Sequence, residues 1–119
     1  MPYIDGFIFA VPTANKEKFR QFGEKFDQLF IKHGAAQVIE AWGDDVPTGE
    51  TTDFYRAVQA KDNETIVFSW IFWPDKATRD AGNEKVMADM EAMGGEAADM
   101  PFDGKRMIYG GFETLVELG

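Results

Sequence analysis

From Lys16 to His33 the apolar side chains fall at Phe19, Phe22, Phe26, Leu29 and Phe30. Steps of three, four, three and one keep them on a single stripe of a helix. Asn15 stands at its N-cap position and Gly34 where a C-terminal glycine belongs. Before this helix, Tyr3 to Val11 ("YIDGFIFAV") is rich in aromatic and branched residues and stops at Pro12, as a strand does. After it, Ala35 to Gly43 reads as a second strand, and "DDVPTGETTD" (44–53) as a polar loop. Two extended runs follow, "FYRAVQA" (54–60) and "TIVFSWIFW" (65–73), and the four residues "KDNE" between them predict a hairpin. Pro74 closes the second run. A second helix then runs to Met93, with Asp75 as its cap and Ala77, Ala81, Val86, Met87 and Met90 as its buried side. A loop over 94–104 leads into a last strand from Arg106 to Leu118.

The order of elements is that of a single α+β domain over residues 1–119: a ferredoxin-like β-α-β-β-α-β antiparallel sheet with two helices on one face. A sheet covered on one side alternates apolar with polar residues, and these strands do not. In the run 65–73, Ile66, Phe68, Trp70 and Phe72 share one face, and Val67, Ser69, Ile71 and Trp73 the other. In the first strand, Tyr3, Asp5, Phe7 and Phe9 oppose Ile4, Gly6, Ile8 and Ala10. Two helices cover only one side, so the second must be covered by something else. The 44–52 loop or a tail is one candidate. A second copy of the chain across a two-fold axis is the simpler one, giving a homodimer with the two sheets face to face, a dimeric α+β barrel.

Composition narrows the function classes. At 119 residues, 45% hydrophobic and 14% aromatic, the chain has the makeup of a globular domain. It contains no cysteine, so it has no thiol nucleophile, thiolate metal site or disulfide, in keeping with a cytoplasmic protein. No apolar run approaches the ~18 residues that a membrane span requires, and "MPYIDGFIFAVP" lacks the basic start of a signal peptide. Twenty-one Asp and Glu against twelve Lys and Arg leave a net charge of −9, which argues against nucleic-acid binding.

The motifs "YIDGF", "HGA", "GDDVPTG", "RAV", "VFSWI", "PDKATRDAGNEKVMADM" and "MPFDGKRMIYGGFE" are distributed along almost the whole chain. In these the sequence resembles the YbaA-like bacterial family of unknown function. The resemblance implies a dimeric α+β barrel of ferredoxin-like subunits. It brings no established activity, cofactor or catalytic residue.

Few residues carry candidate chemistry. Asp5, set among aromatics on the strand face expected to line the barrel interior, either works as a general acid or base or belongs to an Asp-Gly bulge or a structural ion pair with Arg106 or Arg56. In "PFDGKRMIYGGFE", Asp103 and Gly104 suit a turn, Arg106 and Tyr109 differ in parity, and Gly110-Gly111 leaves room for a ligand, a neighbouring backbone or a bulge. His33 is the only histidine and suits the C-terminal end of a helix. With no cysteine and no H-E-x-x-H spacing, no metal site is expected. Glu40, Asp44 and Asp45 lack calcium-loop spacing and read as a solvated acidic segment. The expectation is a homodimer with a pocket for a small apolar or aromatic molecule, lined by Tyr3, Asp5, Phe7, Trp42, Arg56, Trp70, Arg106 and Tyr109, in which cofactor-free enol or oxygen chemistry is conceivable. The alternative is a non-catalytic interaction or stress-response protein whose aromatics only fill the dimer core.

Overall fold

A computed structural model describes residues 1–119, apart from the side chains at 96 and 97. Four strands, β1 (Tyr3–Pro12), β2 (Gln37–Trp42), β3 (Glu64–Trp73) and β4 (Ile108–Glu113), form one antiparallel sheet in the order β2-β3-β1-β4. The helices are α1 (Lys16–Phe26), α2 (Gln28–Lys32), α3 (Phe54–Ala57), α4 (Lys76–Met93) and α5 (Gly95–Ala98). The fold is mixed α+β. No helix among the described residues is long and apolar enough to cross a membrane.

The two longest strands, β1 and β3, pair in full register from Tyr3↔Trp73 to Pro12↔Glu64. That register fixes which faces match. Tyr3, Asp5, Phe7, Phe9 and Val11 share a face with Val67, Ser69, Ile71 and Trp73, and with Val38, Glu40 and Trp42 of β2. This is the face that α1, α2 and α4 cover: Phe9, Val11 and Val67 pack with Phe19, and Tyr3, Ile71 and Trp73 with Phe30. Helix α4 lies flush against the sheet because residue 82 is glycine. A Cβ there would lie 2.5 Å from the Trp73 ring and 2.8 Å from the His33 carbonyl oxygen.

Several expectations are corrected. Residues 54–60 form no strand. Asp53 caps α3, its Oδ1 accepting from the Arg56 N–H at 2.8 Å, and Tyr55 donates to the Val46 carbonyl at 2.7 Å. Val58 is thereby buried against Ala10 and Ile66, so the 44–60 segment covers one end of the second sheet face. The local cap outcompetes the strand propensity of the run. The predicted helix 16–33 is interrupted at Asp27, between α1 and α2. Asn15 does not cap it, and its amide donates instead to the Pro101 carbonyl at 3.1 Å. Asp75 does cap α4, accepting from Thr78 N–H at 2.7 Å. The buried side of α4 centres on Gly82 and Val86 rather than on Ala77, Ala81 and Met87, which are exposed. The contact that seats this helix is a glycine on a tryptophan, which an apolar-periodicity count does not register. The last strand ends at Glu113, and Leu115, Val116 and Leu118 are exposed beyond it.

The rest of the second sheet face is open. Phe68, Ile108 and Phe112 are exposed, Phe112 to 59%. They surround a hollow of about 280 Å³ over Gly6 and Gly110. The molecule measures 39 × 38 × 22 Å, and its short dimension is that of one sheet and one helix layer.

Candidate functional site: a carboxyl pair between two pockets

Between α1 and β2, on the helix-covered face, runs a cleft of about 540 Å³. Phe19, Ile31, Val38 and Trp42 give it apolar walls, and Lys16, Glu17, Arg20 and Glu24 stand along α1. Lys16 lies 5.5 Å from the centre of the Trp42 ring, and the Arg20 guanidinium is held by Glu17 and Glu24. A second, inner pocket of about 160 Å³ lies deeper, lined by Phe7, Phe9, Phe22, Phe30, Ile71, Met90 and Phe102 among others. Phe19, Gly23, Asp27 and Glu40 border both cavities.

Local structure explains how two acids meet there. Asp27 stands at the N-cap position of α2, yet its side chain makes no cap hydrogen bond and is paired with Glu40 instead. Glu40 alternates with Val38 and Trp42 on the covered face of β2, opposite Ser69. Gly23 lies four residues before Asp27, on the same side of the helix. A Cβ at position 23 would sit 3.3 Å from Asp27 Oδ2 and 3.7 Å from Glu40 Cγ, so its absence leaves both acids accessible. Ser69, buried in the sheet, donates to Glu40 Oε1 at 2.7 Å.

The electrostatics follow from that placement. Burial pushes the Asp27 carboxyl up to about 8, and the nearby Glu40 charge and the hydrogen bond between the two acids push the same way. Burial also raises Glu40, while the hydrogen bonds from Ser69 and Asp27 oppose it. As a residue Glu40 is open to the cleft, but its carboxyl is flanked by Asp27 and Ser69. At neutral pH the pair therefore holds one proton, resident on Asp27 and donated to Glu40. A protonated acid beside an ionised one supplies a hydrogen-bond donor and an acceptor at one point. Among the described residues no group of three or more His, Asp or Glu side chains is placed to hold a metal ion.

The eight residues expected to line one pocket are dispersed. Trp42 walls the cleft and Phe7 the inner pocket. Asp5 is 4% exposed and fully engaged: Arg79 reaches it from α4 through Nε at 3.1 and 3.2 Å and Nη2 at 2.9 Å, and Trp73 Nε1 donates at 3.0 Å. Its base is thus Arg79, neither Arg106 nor Arg56, and Asp5 lies under the helices rather than on the open face. Tyr3 is buried beneath the same guanidinium, 5.1 Å from its ring centre. Gly111, across the sheet from Asp5, leaves room for the Tyr3 hydroxyl and Arg79. Arg106 binds both oxygens of Glu64 at 2.8 and 2.6 Å, plus Asp103 at 3.0 Å, which holds the Glu64 carboxyl below its usual range and clips the start of β4 to β3. Arg56 donates to the carbonyls of Gly49 and Glu50 and so organises the loop before α3. Tyr109 stacks on Phe7 from the strand edge and is 73% exposed. Trp70 lies on the opposite face, between Phe68 and Phe72, with no hydrogen-bond partner for its Nε1 among the described residues.

Two members of the site escaped the sequence reading. Glu40 lies in the strand expected for it, but its carboxyl stands in a pocket wall beside Asp27 and Ser69 rather than in a solvated acidic segment. Asp27 sits inside a helical pattern, where its position beside Gly23 was the available signal. A family described as "Protein of unknown function (DUF1428)" matches residues 2–104. The chain belongs to this DUF1428 family. It is also 50% identical to "Uncharacterized protein YbaA" of Escherichia coli strain K12, covering 98% of this chain and 99% of that protein. The protein of the same description from Shigella flexneri matches equally, at 50% identity over 119 residues.

Proposed function

We propose that the chain is a small-molecule-binding protein, a cytoplasmic homodimer of ferredoxin-like subunits forming a dimeric α+β barrel. Each subunit takes an apolar or aromatic ligand into the α1–β2 cleft. The observation that carries the ligand site is the Asp27–Glu40 pair at the junction of the cleft and an aromatic inner pocket. Ligand sites combine apolar walls with a few convergent polar groups and perturbed acids, and this cavity has each of them. The strand order β2-β3-β1-β4 supports the ferredoxin-like reading. The exposed aromatics of the second face support the homodimer, because apolar patches of that kind mark association surfaces.

Native mass spectrometry of freshly purified protein tests both halves. The expected species is twice 13.4 kDa plus a bound mass that is lost on denaturation. A monomer would sink the homodimer. A bound mass retained unchanged in Trp42→Ala would move the ligand out of the cleft.

A further inference from the structure

The two cavities differ in a way that defines the ligand. The inner pocket, at about 160 Å³, is close in volume to an apolar cavity that takes up benzene, and six of the residues lining it are Phe. The outer cleft is larger, and besides the acid pair itself its cationic and anionic side chains stand along α1. The Asp27 and Glu40 carboxyls stand between the two, backed by the buried Ser69. A ligand reaching from one cavity to the other must therefore present its central atoms to the acid pair, with a ring beyond them. The pair carries net negative charge, so a neutral centre fits it better than a carboxylate does.

We propose that Asp27 and Glu40 are a catalytic acid–base pair that moves a proton between carbon and oxygen in a neutral benzyl ketone. This deepens, and rests on, the ligand site proposed above. The phenyl ring occupies the inner pocket, the carbonyl oxygen accepts from Asp27, and the carbon between ring and carbonyl faces Glu40. The Glu40 carboxylate takes a proton from that carbon as the C–H bond breaks. The bonding pair becomes the C=C bond of the enol, and the carbonyl oxygen takes the Asp27 proton. Glu40 then returns its proton to Asp27 through their hydrogen bond, so the pair again holds one. Reversal restores the ketone, and no oxidant, reductant or cofactor enters the balance. Ser69 is a positioning residue, orienting Glu40 from the sheet. The charged groups facing this pair are Lys16, Glu17, Arg20 and Glu24 from α1. Ser69 from β3 and Met90 from α4 are neutral.

The test uses phenylacetone as the probe, with the full-length protein in deuterated buffer. Saturation-transfer NMR reads binding, and loss of the benzylic proton signal reads exchange. The wild type is expected to bind the probe and to exchange it faster than buffer with matched carboxylate. Asp27→Asn and Glu40→Gln are expected to keep binding and circular dichroism but to lower exchange by about 100-fold or more, the scale of a lost general acid or base. The rate should fall at alkaline pH as Asp27 loses its proton, and that fall should be absent in Asp27→Asn. Should Glu40→Gln fail to fold, Ser69→Ala is expected to slow exchange and to shift its pH profile. Binding without exchange would overturn the acid–base role and leave the ligand site standing. Exchange that survives both substitutions would overturn it as well. Failure to bind would remove the ligand site and this inference together.

Discussion

Replacing Asp27 by Asn tests the buried acid without reference to any ligand. Asn has the same shape and still donates a hydrogen bond to Glu40, so the packing is kept while the proton is removed. In the native protein the acid stays protonated up to about pH 8, whereas in the unfolded chain it ionises near pH 3.9. The folded-state pKa is raised, so between these values the native state binds a proton that the unfolded state does not. Stability is therefore full below the unfolded value and falls as pH rises toward 8. A shift from 3.8 to about 8 sets a ceiling, and at 1.36 kcal/mol per unit that ceiling is roughly 6 kcal/mol. Glu40 is open to the cleft and the proton is shared, so solvent screening reduces it. Between pH 5 and pH 8 the expected loss in the wild type is about 2 kcal/mol.

Urea unfolding at half-unit intervals from pH 5 to 8, followed by circular dichroism, measures this directly. Asp27→Asn should flatten the curve and be more stable than wild type at pH 8 by about 2 kcal/mol. For a chain of this size that corresponds to about 8 °C in Tm. Two parallel pH profiles would refute the reasoning, because they would mean that Asp27 is solvated and ionised like any surface acid.

Three further substitutions probe the frame around the site. Arg79→Met leaves the Asp5 charge buried with only Trp73 for company, and should cost about 3–5 kcal/mol by chemical denaturation. Adding Asp5→Leu should recover most of that loss, since an apolar pair can replace a buried ion pair. Gly82→Ala drives a methyl into Trp73 and the His33 carbonyl, and should destabilise by about 1–3 kcal/mol despite the better helix propensity of alanine. Phe68→Glu places a charge on the open sheet face, and should convert the proposed homodimer to monomer in sedimentation velocity while leaving the cleft intact.

The legible parts of this fold are those fixed by local chemistry. The two long strands, the stripe of α1 and the Asp75 cap all follow from spacing or from a single side chain, and each is present. The run 54–60 misled because its strand propensity was outweighed by one capping carboxylate three residues before Arg56. Asp5 was legible as a buried acid that needs a base, but its partner lies 74 residues away on α4, and no spacing rule connects them. The carboxyl pair was hidden for the same reason. Asp27 and Glu40 belong to different elements, and only the docking of α1 against β2 brings them together.

Strand parity carries the last step. Each apolar strand presents two faces, and from one strand alone neither can be assigned. The β1–β3 register removes that freedom by putting Asp5, Ser69 and, through β2, Glu40 on one side. These are polar groups set in apolar strands, and all lie under the helices, where each finds a partner. The other side carries the aromatic row Phe68, Trp70, Phe72 and Phe112. The proposed ligand site and the proposed association surface thus fall on opposite faces of one sheet. On that proposal the aromatic richness of the strands belongs to the association surface, and the few polar residues on the helix-covered face belong to the site.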